Sequence, residues 1–326
     1  MKRKLFKTLL ATAVVAWLGA SGTVMAQTKL KWAHVYETSE PYHTESVWAA
    51  EEIKKRTNGK FEIQVFPASS LGKETDINQG MQLGTVDMII SGPSFAARSY
   101  PRLGIAYYPF IFRDGDHLLA YSKSDIFKEM VDAFRAKTGI QILAYTYYGA
   151  RHITTNRDFN DCAGMKNLKI RVPDVPAYMA MPRACGANPT PIAFAEVYLA
   201  LQNGTVEAQE NPLPTIEAKK FYEVQKAIML TGHIVDGLTT QIAPHVWTKL
   251  SDQEKAMFIE VTREAAAKAT ADIKKREAEL VDEFKKKGLQ IVPVDRKSFV
   301  DAVLKNAPVE SLGYVKADYD RIVAIK

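Results

Sequence analysis

The chain has 326 residues, 47% of them apolar and 25% charged, which is typical of a soluble globular protein with room for one large or two ordinary domains. Four of its 43 basic residues lie in the first seven positions, so the rest of the chain has 39 basic against 37 acidic residues. No Lys- or Arg-rich block remains there, which argues against a nucleic-acid partner.

Residues 1–26 have the pattern of a secretory signal peptide. Four basic residues precede an apolar run over 9–18, and small residues then lead to Ala26. The run is too short to span a bilayer, which disfavours an N-terminal membrane anchor. We therefore expect cleavage after Ala26 and export to the periplasm. No second apolar run of spanning length follows, so we expect no membrane insertion of the mature chain.

Strand and helix patterns alternate through most of the mature chain. Apolar runs predict strands at 30–35, 61–66, 86–91, 140–146, 168–172 and 206–210. Helical patterns lie between them, among them 44–57, which ends at Asn58-Gly59, and 73–84. This rhythm predicts an α/β fold with mostly parallel sheets.

One long helix is predicted near the C-terminus. Ser251 and Glu254 form a capping box, and apolar periodicity then continues to about Lys287, with Gly288 as the stop. At about 1.5 Å per residue the helix is on the order of 50 Å long, which exceeds the width of one small domain. If unbroken, it must lie along two lobes.

Common catalytic signatures are absent from the sequence. It has no G-x-S-x-G, H-E-x-x-H, Walker or G-x-G-x-x-G motif, and its six histidines show no metal-ligand spacing. We therefore predict a protein that is not an enzyme and uses no cofactor or metal.

The chain has two cysteines, Cys162 and Cys185. They flank the predicted strand at 168–172 and the helix after it, and an oxidising compartment would allow them to form one disulfide. The alternative is a pair of buried thiols. Two cysteines alone are too few ligands for a structural zinc site.

Polar side chains occur where several strands are predicted to end. Arg171 closes the strand at 168–172, and the others are His34, Ser91, Tyr145, Tyr147, Tyr148, Arg151, Glu210 and Asn211. Ligands of open α/β sheets bind beyond the carboxyl ends of strands, so these positions predict a cleft. The planar fork of Arg171 suits a carboxylate. From the residues alone, that carboxylate is either an internal Asp or Glu or a ligand from outside.

Several segments resemble the substrate-binding proteins of tripartite ATP-independent periplasmic (TRAP) transporters, a family broadly described as C4-dicarboxylate-binding. They are GANPTPIAFAEVYLALQNGTVEAQENPL (186–213), KFYEVQK (220–226), LGKETD, YGARHITTNR and LKIRVPD. The resemblance covers essentially the whole mature chain. It implies two α/β lobes that are joined by crossing strands and a long helix and close on a ligand in the cleft. The implied bounds are 27–148 plus 237–276 for lobe I, and 149–236 plus 277–326 for lobe II.

The resemblance also assigns residues to a ligand carboxylate. Arg171 matches the arginine that grips this carboxylate, Arg151 matches a second arginine near it, and Asn211 matches an asparagine that orients it. Phe194 matches an aromatic residue that packs against the ligand. Tyr148 is expected to line the same site.

Other expected contacts come from the opposite lobe. His34, Glu74 and Ser91 suit ligand hydroxyl groups, with a surface or packed histidine as the alternative for His34. Gly92 stands where sialic-acid binders of the family carry an acidic residue, which argues against sialic acid itself.

The expected function is periplasmic capture of an organic monocarboxylate and its delivery to a membrane permease by a monomeric receptor. The polar far wall favours a sugar acid, such as glucuronate, galacturonate or a shorter aldonate. A C4-dicarboxylate or a keto or aromatic acid is the alternative ligand, which the tyrosines at 145–148 could accommodate. A secreted hydrolase and an envelope interaction protein are the alternative classes.

Overall fold

The structure is a computed structural model that describes residues 27–326, and the predicted signal peptide lies outside them. Its strands are β1 (Thr28–Ala33), β2 (Phe61–Phe66), β3 (Met88–Ser91), β4 (Gln141–Thr155), β5 (Lys169–Val172), β6 (Asn188–Pro191), β7 (Ala208–Pro212), β8 (Ala227–Ile242) and β9 (Gln290–Val292). Its α-helices are α1 (Pro41–Arg56), α2 (Glu74–Leu83), α3 (Pro93–Ala96), α4 (Gly115–Tyr121), α5 (Asp125–Thr138), α6 (Pro176–Ala184), α7 (Val197–Gln202), α8 (Leu213–Ala218), α9 (Pro244–Trp247), α10 (Asp252–Lys286), α11 (Arg296–Asn306) and α12 (Lys316–Val323). The mixed α/β class is as predicted.

The strands form one nine-stranded sheet in the order β2-β1-β3-β8-β4-β7-β5-β6, with β9 paired to β8. Pairing is parallel between β1 and β2, β1 and β3, β5 and β6, β5 and β7, and β8 and β9. It is antiparallel where β8 meets β3 and β4, and where β4 meets β7. Most pairings are therefore parallel, and each antiparallel pairing includes one or both of the long strands β4 and β8.

Those two long strands divide the sheet into two lobes. β3 pairs with the end of β8 at 239–242, whereas β9 pairs with its start at 227–229 and β7 pairs with β4 at 151–155. We call the half with β1, β2 and β3 the first lobe, and the half with β5, β6, β7 and β9 the second lobe. β4 and β8 cross from one lobe to the other, which is the two-lobe fold of periplasmic binding proteins.

Helix α10 confirms the prediction of one long helix across both lobes. Its 35 residues correspond to about 52 Å. Ser251 Oγ accepts a hydrogen bond from the Glu254 N–H at 3.2 Å, and the Glu254 carboxylate accepts one from the Ser251 N–H at 2.9 Å. The helix packs on α1 and β4 and then on α8 and β9. Near its C-terminal end, Arg276 forms ion pairs with Glu217 of α8 and with Glu283.

The strand predicted at 140–146 continues through Gly149 to Thr155, so its predicted end at 146 is wrong. Gly149 has φ +126° and lies at a shift in the β4–β8 register, which makes it a bulge inside one continuous strand. A Cβ at this position would lie 2.7 Å from Glu277 Oε1. The Glu277 carboxylate accepts hydrogen bonds from the Ala150 N–H and the Tyr147 hydroxyl, both at 2.7 Å. This α10 side chain therefore holds the bulge where β4 changes lobes.

Cys162 and Cys185 are joined as a disulfide, which links the turn before β5 to the C-terminal end of α6. The exact lobe bounds stay a prediction. The C-terminal helix α12 packs against α5 of the first lobe, and Asp318 of α12 accepts two hydrogen bonds from Arg102 at 2.6 Å. Through these contacts the end of segment 277–326, which the resemblance assigns to lobe II, also packs on the first lobe.

Candidate functional site

A chamber of about 30 Å³ lies between the lobes and adjoins a groove of about 280 Å³. Glu74, Phe95, Arg171, Pro173 and Phe194 line both spaces. The chamber is also lined by Val35, Tyr36, Gly92, Tyr148, Arg151, Tyr178, Asn211, Asp236 and Leu238. Side chains from both lobes therefore enclose it, and its wall combines apolar groups with several converging polar ones, as small-molecule sites do.

Arg171 carries a buried charge that is not paired within the described residues. It is 3% exposed, and Nε donates to the Ile192 carbonyl at 2.9 Å. No carboxylate of residues 27–326 lies within ion-pair distance of its guanidinium. Burial lowers the pKa of Arg171 to about 10, so the side chain remains protonated at neutral pH. Its two Nη groups are therefore available to an anion that enters the chamber.

Arg151, in contrast, is neutralised by the protein itself. Nε pairs with Glu210 Oε2 at 2.5 Å, Nη1 pairs with Asp236 Oδ2 at 2.9 Å, and Nη2 donates to the Glu210 backbone carbonyl at 2.8 Å. Burial opposes ionisation of Glu210, but the charge and hydrogen bonds of Arg151 outweigh it and lower the pKa of that carboxyl. The predicted ligand contact of Arg151 stays a prediction, and the structure gives this side chain an internal role that the sequence did not indicate.

Asn211 lies on β7 between the two arginines and is held on both ends of its amide. Oδ1 accepts hydrogen bonds from Arg151 Nη2 at 3.1 Å and from the Tyr148 hydroxyl at 3.4 Å. Nδ2 donates to Gln209 Oε1 at 2.6 Å, which fixes which end of the amide carries the N–H groups. The second N–H of Asn211 Nδ2 makes no hydrogen bond within the described residues. Asn211 and Tyr148 both line the chamber, and their contacts with a ligand stay predictions.

Phe194 forms a boundary between the chamber and the groove. It lies just after β6 and is 8% exposed. Its ring centre is 5.9 Å from the Arg171 guanidinium carbon and 5.1 Å from Lys219 Nζ. An aromatic face between two cations is stabilised by cation–π attraction and leaves an apolar surface for a ligand chain.

Glu74 enters the site from the N-terminus of α2. Its Oε1 accepts hydrogen bonds from the Ser91 hydroxyl at 2.8 Å and from the Gly92 N–H at 3.2 Å. Burial raises the pKa of Glu74 to about 7 despite these donors. Ser91 itself does not line the chamber. Its hydroxyl donates to Glu74 and accepts a hydrogen bond from Asn78. A side chain at Gly92 would begin 3.1 Å from the Tyr107 hydroxyl, so the small residue keeps this wall open.

His34 also lies outside the chamber lining. It is 1% exposed, its Nε2 is 3.2 Å from His43 Nδ1, and its ring stacks on Tyr36. Burial lowers the pKa of His34 to about 3. The geometry matches the alternative of a packed histidine, and its neighbours Val35 and Tyr36 line the chamber instead.

Three polar residues of the chamber were not singled out from the sequence: Tyr36, Tyr178 and Asp236. Asp236 Oδ2 accepts hydrogen bonds from Arg151 Nη1 and from the Tyr178 hydroxyl at 3.2 Å, whereas Oδ1 is buried without a partner. Burial raises the pKa of Asp236 although Arg151 pairs with it. The signal in the sequence that could have identified Asp236 was an acidic residue inside the otherwise apolar stretch of β8.

Polar contacts also connect the two lobes around the cleft. Arg98, after α3, donates to the Asp174 carboxylate and carbonyl, both at 2.7 Å. Lys219, after α8, pairs with Glu37 at 2.6 Å. Each contact joins a residue of the first lobe to one of the second, so the structure holds the lobes together over the chamber.

Two further features were not found among the described residues. Among residues 27–326, no group of three or more His, Cys, Asp or Glu side chains is placed to hold a metal ion. None of the helices in this range is both long and apolar enough to cross a membrane.

Comparison with known proteins gives consistent matches over nearly the whole chain. The family described as bacterial extracellular solute-binding protein, family 7, matches residues 32–308. The sialic acid-binding periplasmic protein SiaP of Vibrio cholerae is 32% identical, over 90% of this chain and 91% of that protein.

Two solved structures are similar in both fold and sequence. A TRAP periplasmic solute-binding protein of Bordetella bronchiseptica, with density assigned to pantoate, has a TM-score of 0.87 and 34% identity over 92% of this chain and 100% of that one. A Polaromonas protein of the same description, bound to D-erythronate, has a TM-score of 0.85 and 31% identity over 92% and 99% of the two chains.

Proposed function

Because this chain belongs to family 7 of the bacterial extracellular solute-binding proteins, which serve TRAP transport and are not enzymes, we propose that it is a periplasmic receptor for a hydroxylated organic monocarboxylate. Families of this kind bind small acids and work with membrane permease subunits. The finer assignment concerns the ligand and the residues that hold it.

The observation that carries the proposal is the single charge of Arg171. A buried guanidinium without a carboxylate partner is costly, and a ligand carboxylate would satisfy its Nη groups with two charge-assisted hydrogen bonds. The neighbouring Arg151 does not compete for that ligand, because Glu210 and Asp236 already neutralise it. The difference between the two arginines favours one anchored carboxylate rather than two.

The remainder of the chamber favours hydroxyl groups on the ligand. Glu74 and Asp236 supply acceptor oxygens, while Phe194 supplies an apolar face. A relative of known structure binds D-erythronate, which is a short aldonate of the favoured kind. A dicarboxylate would bring its second charge against acidic side chains.

Closure of the lobes is the proposed signal to the permease. The Arg98–Asp174 and Lys219–Glu37 contacts join the lobes in the closed arrangement. A ligand that is held by both lobes binds the closed form more tightly than the open form and therefore shifts the equilibrium toward closure. The pair between the ligand and Arg171 is then removed from water, which strengthens it.

A thermal-shift screen tests this function. The panel contains D-erythronate, pantoate, D-glucuronate, D-galacturonate, succinate, pyruvate and benzoate. A ligand present at 100 times its Kd stabilises the folded state by about 2.7 kcal/mol, so a hydroxylated acid should raise Tm by several degrees. A panel in which no acid shifts Tm and none gives heat on titration would contradict the proposal.

A further inference from the structure

Asp236 presents a buried acceptor atom to the chamber. The residue is 2% exposed, and Arg151 and Tyr178 both donate to its Oδ2. Its Oδ1 is buried and has no hydrogen-bond partner among residues 27–326. Buried acceptors in native proteins nearly always have a donor, because leaving one unsatisfied is costly. Since Asp236 lines the chamber, a ligand that enters it can supply that donor.

Glu74 presents a second acceptor from the opposite lobe. Its Oε1 is occupied by Ser91 and Gly92, whereas Oε2 has no hydrogen bond within the described part of the chain. Burial is the main cause of its raised pKa, and the nearby charge of Asp236 adds to it. Glu74 of the first lobe and Asp236 of the crossing strand β8 therefore both face the space that Arg171 also lines.

We propose that Asp236 determines specificity: its Oδ1 accepts a hydrogen bond from a ligand hydroxyl and, with Glu74 opposite, selects hydroxylated monocarboxylates against dicarboxylates. This inference rests on the proposed function, in which Arg171 holds the ligand carboxylate. A hydroxyl group satisfies Oδ1 without adding charge.

A second carboxylate is disfavoured for two reasons. It brings acceptor oxygens to Asp236 Oδ1, which is itself an acceptor. It also brings negative charge beside two carboxylates, Glu210 and Asp236, that share the single guanidinium of Arg151. Such repulsion of the wrong ligand is a common source of specificity, separate from attraction of the right one. Asp236 therefore favours binding of the hydroxylated acid and disfavours binding of the dicarboxylate.

The first test varies the ligand and leaves the protein unaltered. D-Erythronate, butanoate and succinate share a four-carbon chain but differ in hydroxyl groups and in the number of carboxylates. Hydrogen bonds to a charged group predict that butanoate and succinate bind about 10- to 100-fold more weakly than D-erythronate in calorimetric titrations. Succinate or butanoate binding as tightly as D-erythronate would overturn the proposal.

The second test changes the side chain. Asp236→Asn keeps the shape of the residue and removes its charge, so the ratio of succinate Kd to D-erythronate Kd should fall at least tenfold. Asp282→Asn, on the exposed surface of α10, is the matched control and should leave the ratio unchanged. An unchanged ratio in Asp236→Asn overturns the proposal. Should that variant fail to fold, the ligand series on the unaltered chain decides.

The two proposals fail in different ways. If succinate binds as tightly as D-erythronate and this binding is lost in Arg171→Gln, the receptor function stands and the selectivity assigned to Asp236 is wrong. If no organic acid of the thermal-shift panel binds at all, the receptor function itself is wrong, and the selectivity inference fails with it.

Discussion

Replacing Arg171 by glutamine separates a ligand-binding arginine from a structural one. The guanidinium is 3% exposed and makes one hydrogen bond within the described chain, to the Ile192 carbonyl. Glutamine removes the charge and the planar fork but retains a polar group. Truncating one partner of a buried charged pair typically costs about 2–5 kcal/mol of binding, so Kd should rise from about 30-fold to several thousand-fold.

The same substitution should leave the unliganded protein nearly as stable as before. The lost hydrogen bond is worth about 1 kcal/mol, and removal of a buried charge without a partner acts in the opposite direction. We therefore expect the unfolding free energy of Arg171→Gln, measured by urea denaturation without ligand, to stay within about 1 kcal/mol of the parent value. The combination of lost affinity and retained stability is the signature of an arginine kept for a ligand.

Calorimetric titration with the tightest acid of the screen provides the affinity. Arg183→Gln, an exposed arginine on α6 in the same lobe, is the matched control and should change neither quantity. The reasoning is refuted if Arg171→Gln binds the acid with the parent Kd. It is equally refuted if the unliganded variant is destabilised by several kcal/mol, because Arg171 would then be a structural residue.

Three other predictions concern stability. Arg151→Gln removes the charge that pairs with the buried Glu210 and Asp236 carboxylates, so the unfolding free energy should fall by about 3–5 kcal/mol in urea titrations; a loss below 1 kcal/mol would contradict the structural role of Arg151. Burial raises the pKa of Glu40 from 4.5 to about 7. A raised folded-state pKa means that its stabilising contribution is complete below pH 4.5 and is lost as pH rises through about 7. The unfolding free energy of Glu40→Gln minus that of the parent chain should therefore be roughly 3 kcal/mol higher at pH 8 than at pH 4.5. The same difference at both pH values would exclude burial of the Glu40 carboxyl as the cause. Replacing Cys162 and Cys185 by serine opens a loop with a sequence separation of 23, so Tm should fall with a loss of about 3 kcal/mol, whereas an unchanged Tm would argue that the bond contributes nothing.

The elements with strong local signals were predictable from the sequence. The capping box at Ser251 and the apolar periodicity after it predicted α10 to within a residue at its C-terminal end. Strand β2 was predicted with the bounds that the structure has. In both cases the local pattern and the tertiary packing agree, so no competing interaction shifts the element.

The long crossing strands were predicted in part or not at all. β8 contains Gly232, His233, Asp236 and Gly237, which interrupt the apolar pattern of a strand. In the structure, His233 contacts Glu210 and Asp236 pairs with Arg151. The two glycines lie in the same part of β8, where it crosses between the lobes. The continuation of β4 past Gly149 was also not predicted. The bulge there is held by Glu277 of a helix far along the chain, and neighbouring residues do not indicate such a contact.

The candidate site was partly predictable for similar reasons. Polar groups at the ends of predicted strands identified Arg171 and Asn211, and the family resemblance added Phe194; all three line the chamber. The sequence did not indicate that Arg151 is neutralised, because its partners Glu210 and Asp236 are 59 and 85 residues away. Contacts at that separation follow from strand order, which local patterns do not specify.

The most direct test of the central claim is a crystal structure of the complex with the tightest-binding acid. The account predicts that the ligand carboxylate lies against Arg171, with its two oxygens about 2.7–2.9 Å from guanidinium nitrogens, and that both lobes enclose the ligand. A ligand whose carboxylate lies elsewhere, with Arg171 contacting water or an internal acid, would contradict it.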